Sequence, residues 1–232
     1  MKTQPHFAKA SRGDFVEIVP AILRSTFEKI EHDWKKVVHS VQHIQIDITD
    51  GVFAGNGSFR DIKRFKKLPL AEKSELHCMV HTPSNFVVDI IDLNPARCVF
   101  HLEAFSGTDE LGHVYTKLRE NTSSELALAL NPETPIQRLT EYLPLIDYIL
   151  FMGYNPGWAN QPINPLVFNK IRAAKKLWPD KKIEVDGHVG KDTIEQYVQA
   201  GANILCANTS IFGHGNPIEN YKHLQLLANA AV

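Results

Sequence analysis

Apolar and polar residues alternate through residues 43–56 (HIQIDITDGVFAGN), with Ile44, Ile46 and Ile48 on one side and Gln45, Asp47 and Thr49 on the other. Successive side chains of a strand point to opposite faces, so the pattern predicts a strand with one aliphatic and one polar face. Asp50-Gly51 ends it with turn chemistry. Residues 16–23, 75–80, 97–103, 126–131, 146–154, 182–186 and 202–207 read as further strands, and several repeat the same split. Leu76 and Cys78 oppose Glu75, His77 and Met79, for example, and Ile183 and Val185 oppose Glu184 and Asp186.

Between the strands the apolar spacing changes to that of helices. Ser25 and Glu28 form a capping box ahead of Phe27, Ile30, Trp34, Val37, Val38 and Val41. A short basic helix is expected over 59–67, and others start at Thr82-Pro83 and Thr134-Pro135, where proline suits a first turn. Residues 111–118, 167–177, 192–200 and 217–230 complete the series, with Gly201 as a C-cap. Strands regularly separated by helices imply a parallel sheet, and eight repeats suggest closure. The expected fold is α/β, a single (β/α)8 TIM barrel over residues 16–232, with 1–15 as an N-terminal extension. Periodicity alone leaves a doubly wound open sheet as the alternative.

The length of 232 residues suits one such barrel, and a net charge of -1 gives no electrostatic case for nucleic acid or an anionic membrane. Cys78, Cys98 and Cys206 are far apart and sit in apolar runs, which reads as three buried free thiols in a reducing compartment. No run approaches a transmembrane length and the first residues have no apolar leader, so a soluble, cytoplasmic protein is expected.

In a barrel the aliphatic face of each strand turns to the helices and the polar face to the axis. Asp47, Thr49, His77, His101, Glu103 and Asp186 would then converge near the C-terminal strand ends. Buried unpaired they would be costly, so they should pair, bind a cation or meet a polar ligand. For His101 and Glu103 the expectation is a hydrogen-bond network; for Asp47, His77 and Asp186, at strand ends beside glycine-bearing loops, it is function.

QIDITDGVFAGN, HCMV, HLEA, ALNPETP, NPGWANQ, EVDGHV and NTSIFG occur in the order and spacing of the ribulose-phosphate 3-epimerases, which the chain resembles from Val19 to Gly213. The resemblance implies an isomerase of the pentose phosphate pathway that epimerises C3 of a ketose phosphate, by default D-ribulose 5-phosphate to D-xylulose 5-phosphate. It carries over Asp47 and Asp186 as acid and base, and Asp47, His77 and Asp186 as ligands of one divalent metal ion. Met79 and Met152 match methionines that line the reacting centre, beside His77. The phosphate would rest on backbone N–H groups near Gly187 and around Asn208 and Thr209. The family's dimers and larger rings imply a homo-oligomer.

Four departures bear on this reading. Gln45 stands where the family usually has histidine, leaving an amide oxygen as a weak metal donor; the harder ligand set favours manganese, iron or magnesium over zinc. Ala21 replaces a serine near the substrate. His188 and Asn208 replace glycines of the two phosphate loops, where side chains would obstruct the backbone or supply new donors. Gly157-Trp158-Ala159-Asn160 replaces a flexible glycine-rich loop and should be stiffer, with Trp158 placed to cover the substrate. Two other readings stay open. A related sugar-phosphate lyase would use Asp47 and Asp50, but its Asp-x-Lys-x-x-Asp pattern lacks the lysine here. A barrel that has lost its chemistry would still bind a phosphorylated metabolite; retention of both Asp47 and Asp186 argues against it.

Overall fold

The computed structural model describes residues 15–157 and 161–232. The alternating segments become β1 (Glu17–Ile22), β2 (Ile44–Thr49), β3 (Ser74–Met79), β4 (Arg97–His101), β5 (Glu125–Leu130), β6 (Tyr148–Met152), β7 (Lys182–Asp186) and β8 (Ile204–Ala207). Each pairs in parallel with the next, and β1 pairs with β8, so the ring closes and no edge is left. This settles the barrel against the open sheet.

Around the ring lie α1 (Phe27–Val37), α2 (Val87–Leu93), α3 (Thr108–Asn121), α4 (Leu166–Leu177), α5 (Ile194–Ala200), the short α6 (Thr209–Phe212) and α7 (Pro217–Ala230). After β2 and β5 the chain forms 3-10 turns instead, Ile62–Lys67 and Ile136–Leu145, the latter carrying Pro144, which cannot donate to an α-helical ladder. Thr26 rather than Ser25 caps α1: it is the extended residue, and its hydroxyl accepts from the Lys29 N–H. β4 is shorter than expected and ends at His101, so Glu103 lies in a 3-10 turn rather than on the strand face with it.

The two faces of the strands separate as the alternation requires. Ile44, Ile46, Ile48, Leu76, Ile183 and Val185 join the layer between ring and helices, each contributing roughly 1.5–3 kcal/mol through burial. Val19, Ala21, Val99, Ala127, Ala129, Leu150 and Met152 fill the axis. Trp34 is fully buried under α1, its indole N–H donating to the Pro69 carbonyl. All three cysteines are buried and free. Among the described residues no helix is long and apolar enough to cross a membrane.

Two polar layers remain inside the ring. At the N-terminal floor, Arg97 donates to Glu17 (2.8 Å), Glu75 (3.3 Å) and Glu125 (3.1 Å). Burial, and then the charge of Glu75, push the Glu184 carboxyl well above the usual carboxylate range, so it keeps its proton. Its Oε1 accepts from the Cys206 thiol. Glu75, Glu184 and Cys206 thus converge, but with the Arg97 cation already among them. The second polar layer, at the other end, holds the candidate site.

Candidate active site

β2 and β3 are in register at Asp47 and His77, and β7 delivers Asp186 from across the ring. The three offer ligand-type atoms that all lie within 4.8 Å of one another. Gln45, two residues before Asp47 and therefore on the same face, closes the group. Its Nε2 donates to Asp47 Oδ1 and to Asp186 Oδ2, both at 2.7 Å. His77 Nδ1 stands 3.1 Å from the Asp47 carboxylate and 3.0 Å from that of Asp186. The two carboxylates therefore face one point from opposite sides of the ring.

The electrostatics follow from burial and crowding. Burial first, then the negative charge of Asp186, raise Asp47 to about 6, against the pull of His77 and Gln45. Burial alone would push His77 down; hydrogen bonds from its Nδ1–H to the carboxylates of Asp186 and Asp47 outweigh it and hold the imidazole at about 10. Its other nitrogen, Nε2, lies 2.9 Å from His101 Nε2, and His101 Nδ1 lies 3.0 Å from Asn131 Oδ1. Burial, and to a lesser degree the His77 charge, keep His101 below its ordinary value, so His77 donates and His101 accepts. Glu103 accepts from the Asn131 N–H and the Thr134 hydroxyl; against burial, His101 first and then these two bonds hold it at about 2. His101 and Glu103 thus form the expected network, which stands behind His77 and fixes its ring.

The loops close around this centre. Asp50 accepts from the N–H groups of Val52, Phe53 and His81, tying the β2 and β3 loops together. Gly157 passes against the β2 loop so closely that a Cβ there would lie 2.0 Å from the Ala54 carbonyl oxygen, at a φ of +124°. Gly157→Ala is accordingly expected to lower kcat/KM by about 10- to 100-fold through displaced loops. Steady-state kinetics beside a thermal melt checks this; near-native kinetics would show the contact to be idle.

Asp47, Met79, Met152, Gly157 and Asp186 line one small pocket with Leu23, Tyr154 and Asn208. A larger cavity of about 470 Å³ shares Tyr154, Asp186 and Asn208 with it and takes in Gly187, His188 and Thr209. Gly187 and His188 both have positive φ, +123° and 55°. His188 Nδ1 lies 2.9 Å from the Gln161 carbonyl oxygen, so its ring is turned toward the β6 loop. Trp158, Ala159 and Asn160 lie outside the described residues, as do residues 1–14 of the expected extension. Sequence reasoning passed over Leu23 and Tyr154, which no spacing sets apart, and Lys191, Asn220 and His223 of the larger cavity.

The residues present would suit a divalent cation, to which His77 would give up its Nδ1 proton. Two hard carboxylates and an imidazole with a fixed ring converge, and Gln45 Oε1 is buried with no hydrogen-bond partner. Exchanging the amide's nitrogen and oxygen would turn a donor against the carboxylates into a fourth ligand, an oxygen.

A sequence profile described as the ribulose-phosphate 3 epimerase family matches residues 17–212. The ribulose-phosphate 3-epimerase of Eremothecium gossypii is 31% identical over 208 residues, 84% of this chain and 85% of its own. That of Candida glabrata is 31% identical over 220 residues, 87% of this chain and 88% of its own. Among solved structures, 3-hexulose-6-phosphate synthase from Salmonella typhimurium superimposes with a TM-score of 0.69 at 12% identity, covering 94% of this chain and 100% of that one. KGPDC from Streptococcus mutans in complex with D-R5P gives 0.72 at 10% identity, covering 93% and 98%. These two share the barrel fold.

Proposed function

The chain belongs to the ribulose-phosphate 3-epimerase family, and we propose that it epimerises C3 of a ketose phosphate, D-ribulose 5-phosphate by default. The observation that carries this is the meeting of Asp47 and Asp186 at one point, each 2.7 Å from the same Gln45 nitrogen. C3 lies next to the ketone, so loss of its proton leaves an enediolate that has no memory of configuration. One carboxylate takes the proton from one face; the other, in its acid form, gives one to the opposite face. A carboxyl near 6, as Asp47 is, suits both halves of such an exchange.

Asp47, His77, Asp186 and Gln45 through Oε1 would hold a divalent metal ion, of manganese, iron or magnesium type rather than zinc, which would supply electrophilic stabilisation of the enediolate oxygen. His101 keeps His77 aimed at the centre. Met79 and Met152 give the reacting carbon an apolar wall that excludes water. In the larger cavity Gly187, His188, Asn208 and Thr209 would meet the phosphate.

Incubation with D-ribulose 5-phosphate in deuterium oxide is expected to give D-xylulose 5-phosphate carrying deuterium at C3. Absence of both product and exchange, with pentulose and hexulose phosphates alike, would overturn the reading. A barrel that binds a phosphorylated metabolite without turning it over is the second reading, favoured by the Gln45 N–H groups that tie the two carboxylates together. The lyase reading loses its second acid, because the Asp50 carboxylate is engaged by three backbone N–H groups.

A further inference from the structure

The cavity beyond Asp186 runs from Tyr154 and Asn208 to α7, and its far wall bears Lys191 on the β7 loop and His223 on α7. Among the described residues neither side chain has a hydrogen-bond or ion-pair partner, and neither serves the C3 chemistry. Three backbone N–H groups of the same loop are already engaged. The Gly190 N–H is spent on the Thr193 hydroxyl, and the Thr193 and Ile194 N–H groups on the Gly190 carbonyl. His188 and Asn208 add side chains to the walls. Two carboxylates, Asp186 and Asp192, also line the cavity, so a phosphate there needs a cation to offset their repulsion.

We propose that the terminal phosphate of the substrate is gripped by side chains, the Lys191 ammonium from the β7 loop and the His223 imidazole from α7. Lysine acts on a phosphate as a mobile point charge, and an imidazole N–H adds a directed hydrogen bond. The volume of about 470 Å³ is ample for a sugar phosphate whose C3 sits between Asp47 and Asp186 in the adjoining pocket. The clamp would make the last helix part of the substrate site and give binding a strong dependence on ionic strength. This inference deepens the ketose-phosphate reading and rests on it.

Two measurements on the full chain test it, one with turnover and one without. In Lys191→Met, KM for D-ribulose 5-phosphate is expected to rise about tenfold or more while kcat moves by less than about threefold, and His223→Gln should shift KM in the same direction. Lys191→Arg should recover part of the loss. Separately, inorganic phosphate should raise the thermal midpoint of the wild-type protein, and Lys191→Met should lose most of that rise. A native KM in both variants, or a phosphate response that survives in Lys191→Met, would overturn the clamp. So would a wild-type protein with no response to phosphate. A Lys191-dependent phosphate response without epimerisation would leave the clamp standing and remove the proposed reaction instead.

Discussion

Asp186→Asn is expected to lower the rate of C3 epimerisation by about 10²–10⁴-fold, and Asp47→Asn to do the same. Loss of rate alone would not distinguish two proton-transfer groups from two groups that merely hold a shared cation. Hydrogen exchange does. With one carboxylate replaced, the remaining one can still remove the C3 proton of the epimer that presents it and return a solvent deuteron to the same face. Each variant should therefore exchange one epimer without inverting it, and the two variants should prefer opposite epimers. The geometry leads to this asymmetry, since the carboxylates reach a common point from β2 and β7. Deuterium content at C3, measured by mass spectrometry for each epimer separately, is the readout. Equal loss of exchange with both epimers in both variants would sink the division of labour.

Gln45 bears on the same experiment. As an N–H donor its amide draws the two carboxylates together at 2.7 Å and screens their repulsion, and Oε1 is left without a partner. As an oxygen ligand it would reverse that arrangement. The buried, unsatisfied oxygen is a standing penalty of about 1–3 kcal/mol. A cation that draws Oε1 inward would relieve it.

Much of this could be read along the chain, and what could not has physical reasons. The β2 alternation placed Ile44, Ile46 and Ile48 outward and Asp47 inward, because a strand allows only two directions. Closure could not be read: it depends on Glu17 to Pro20 pairing with Ile204 to Ala207, and no local pattern reports that. Asp47, His77 and Asp186 were legible as polar residues at strand ends, and Gln45 as a departure from a family pattern. The hydrogen-bonded line from His77 through His101 to Asn131 was not, since it joins β3, β4 and the residue after β5 at depths that only register defines. Lys191 and His223 were passed over for a related reason. An exposed lysine and a helical histidine are ordinary until the ring brings α7 beside the β7 loop. Ser25 lost the cap to its neighbour Thr26, because both have the hydroxyl and the backbone angle decides between them.

Arg97 gave no functional signal in sequence, yet its replacement should produce the largest loss of stability. The side chain is 4% exposed and forks to Glu17, Glu75 and Glu125, with its guanidinium carbon 5.7 Å from the Tyr148 ring centre. Burial opposes its charge, but Glu75 and then Glu17 hold its proton more tightly than usual. Arg97→Met would fill much of the volume but leave Glu75, with no solvent exposure, as an unpaired buried charge beside Glu184. Breaking a buried pair in this way costs about 3–5 kcal/mol. At roughly 2–4 °C per kcal/mol for a chain of this size, the thermal midpoint should fall by about 6–20 °C. Adding Glu75→Gln to Arg97→Met should recover part of that fall, because it removes the stranded charge. Arg97→Lys should lie between, as a shorter, point-like ammonium lacks the planar fork that reaches all three carboxylates. Asp47, His77 and Asp186 lie one layer above the floor, His77 two residues beyond Glu75 along β3 and Asp186 two beyond Glu184 along β7. The folded fraction of Arg97→Met should therefore keep kcat within a few-fold of wild type below its melting range. A variant that melts within about 2 °C of the native protein would mean that the Arg97 ion cluster adds nothing net to stability.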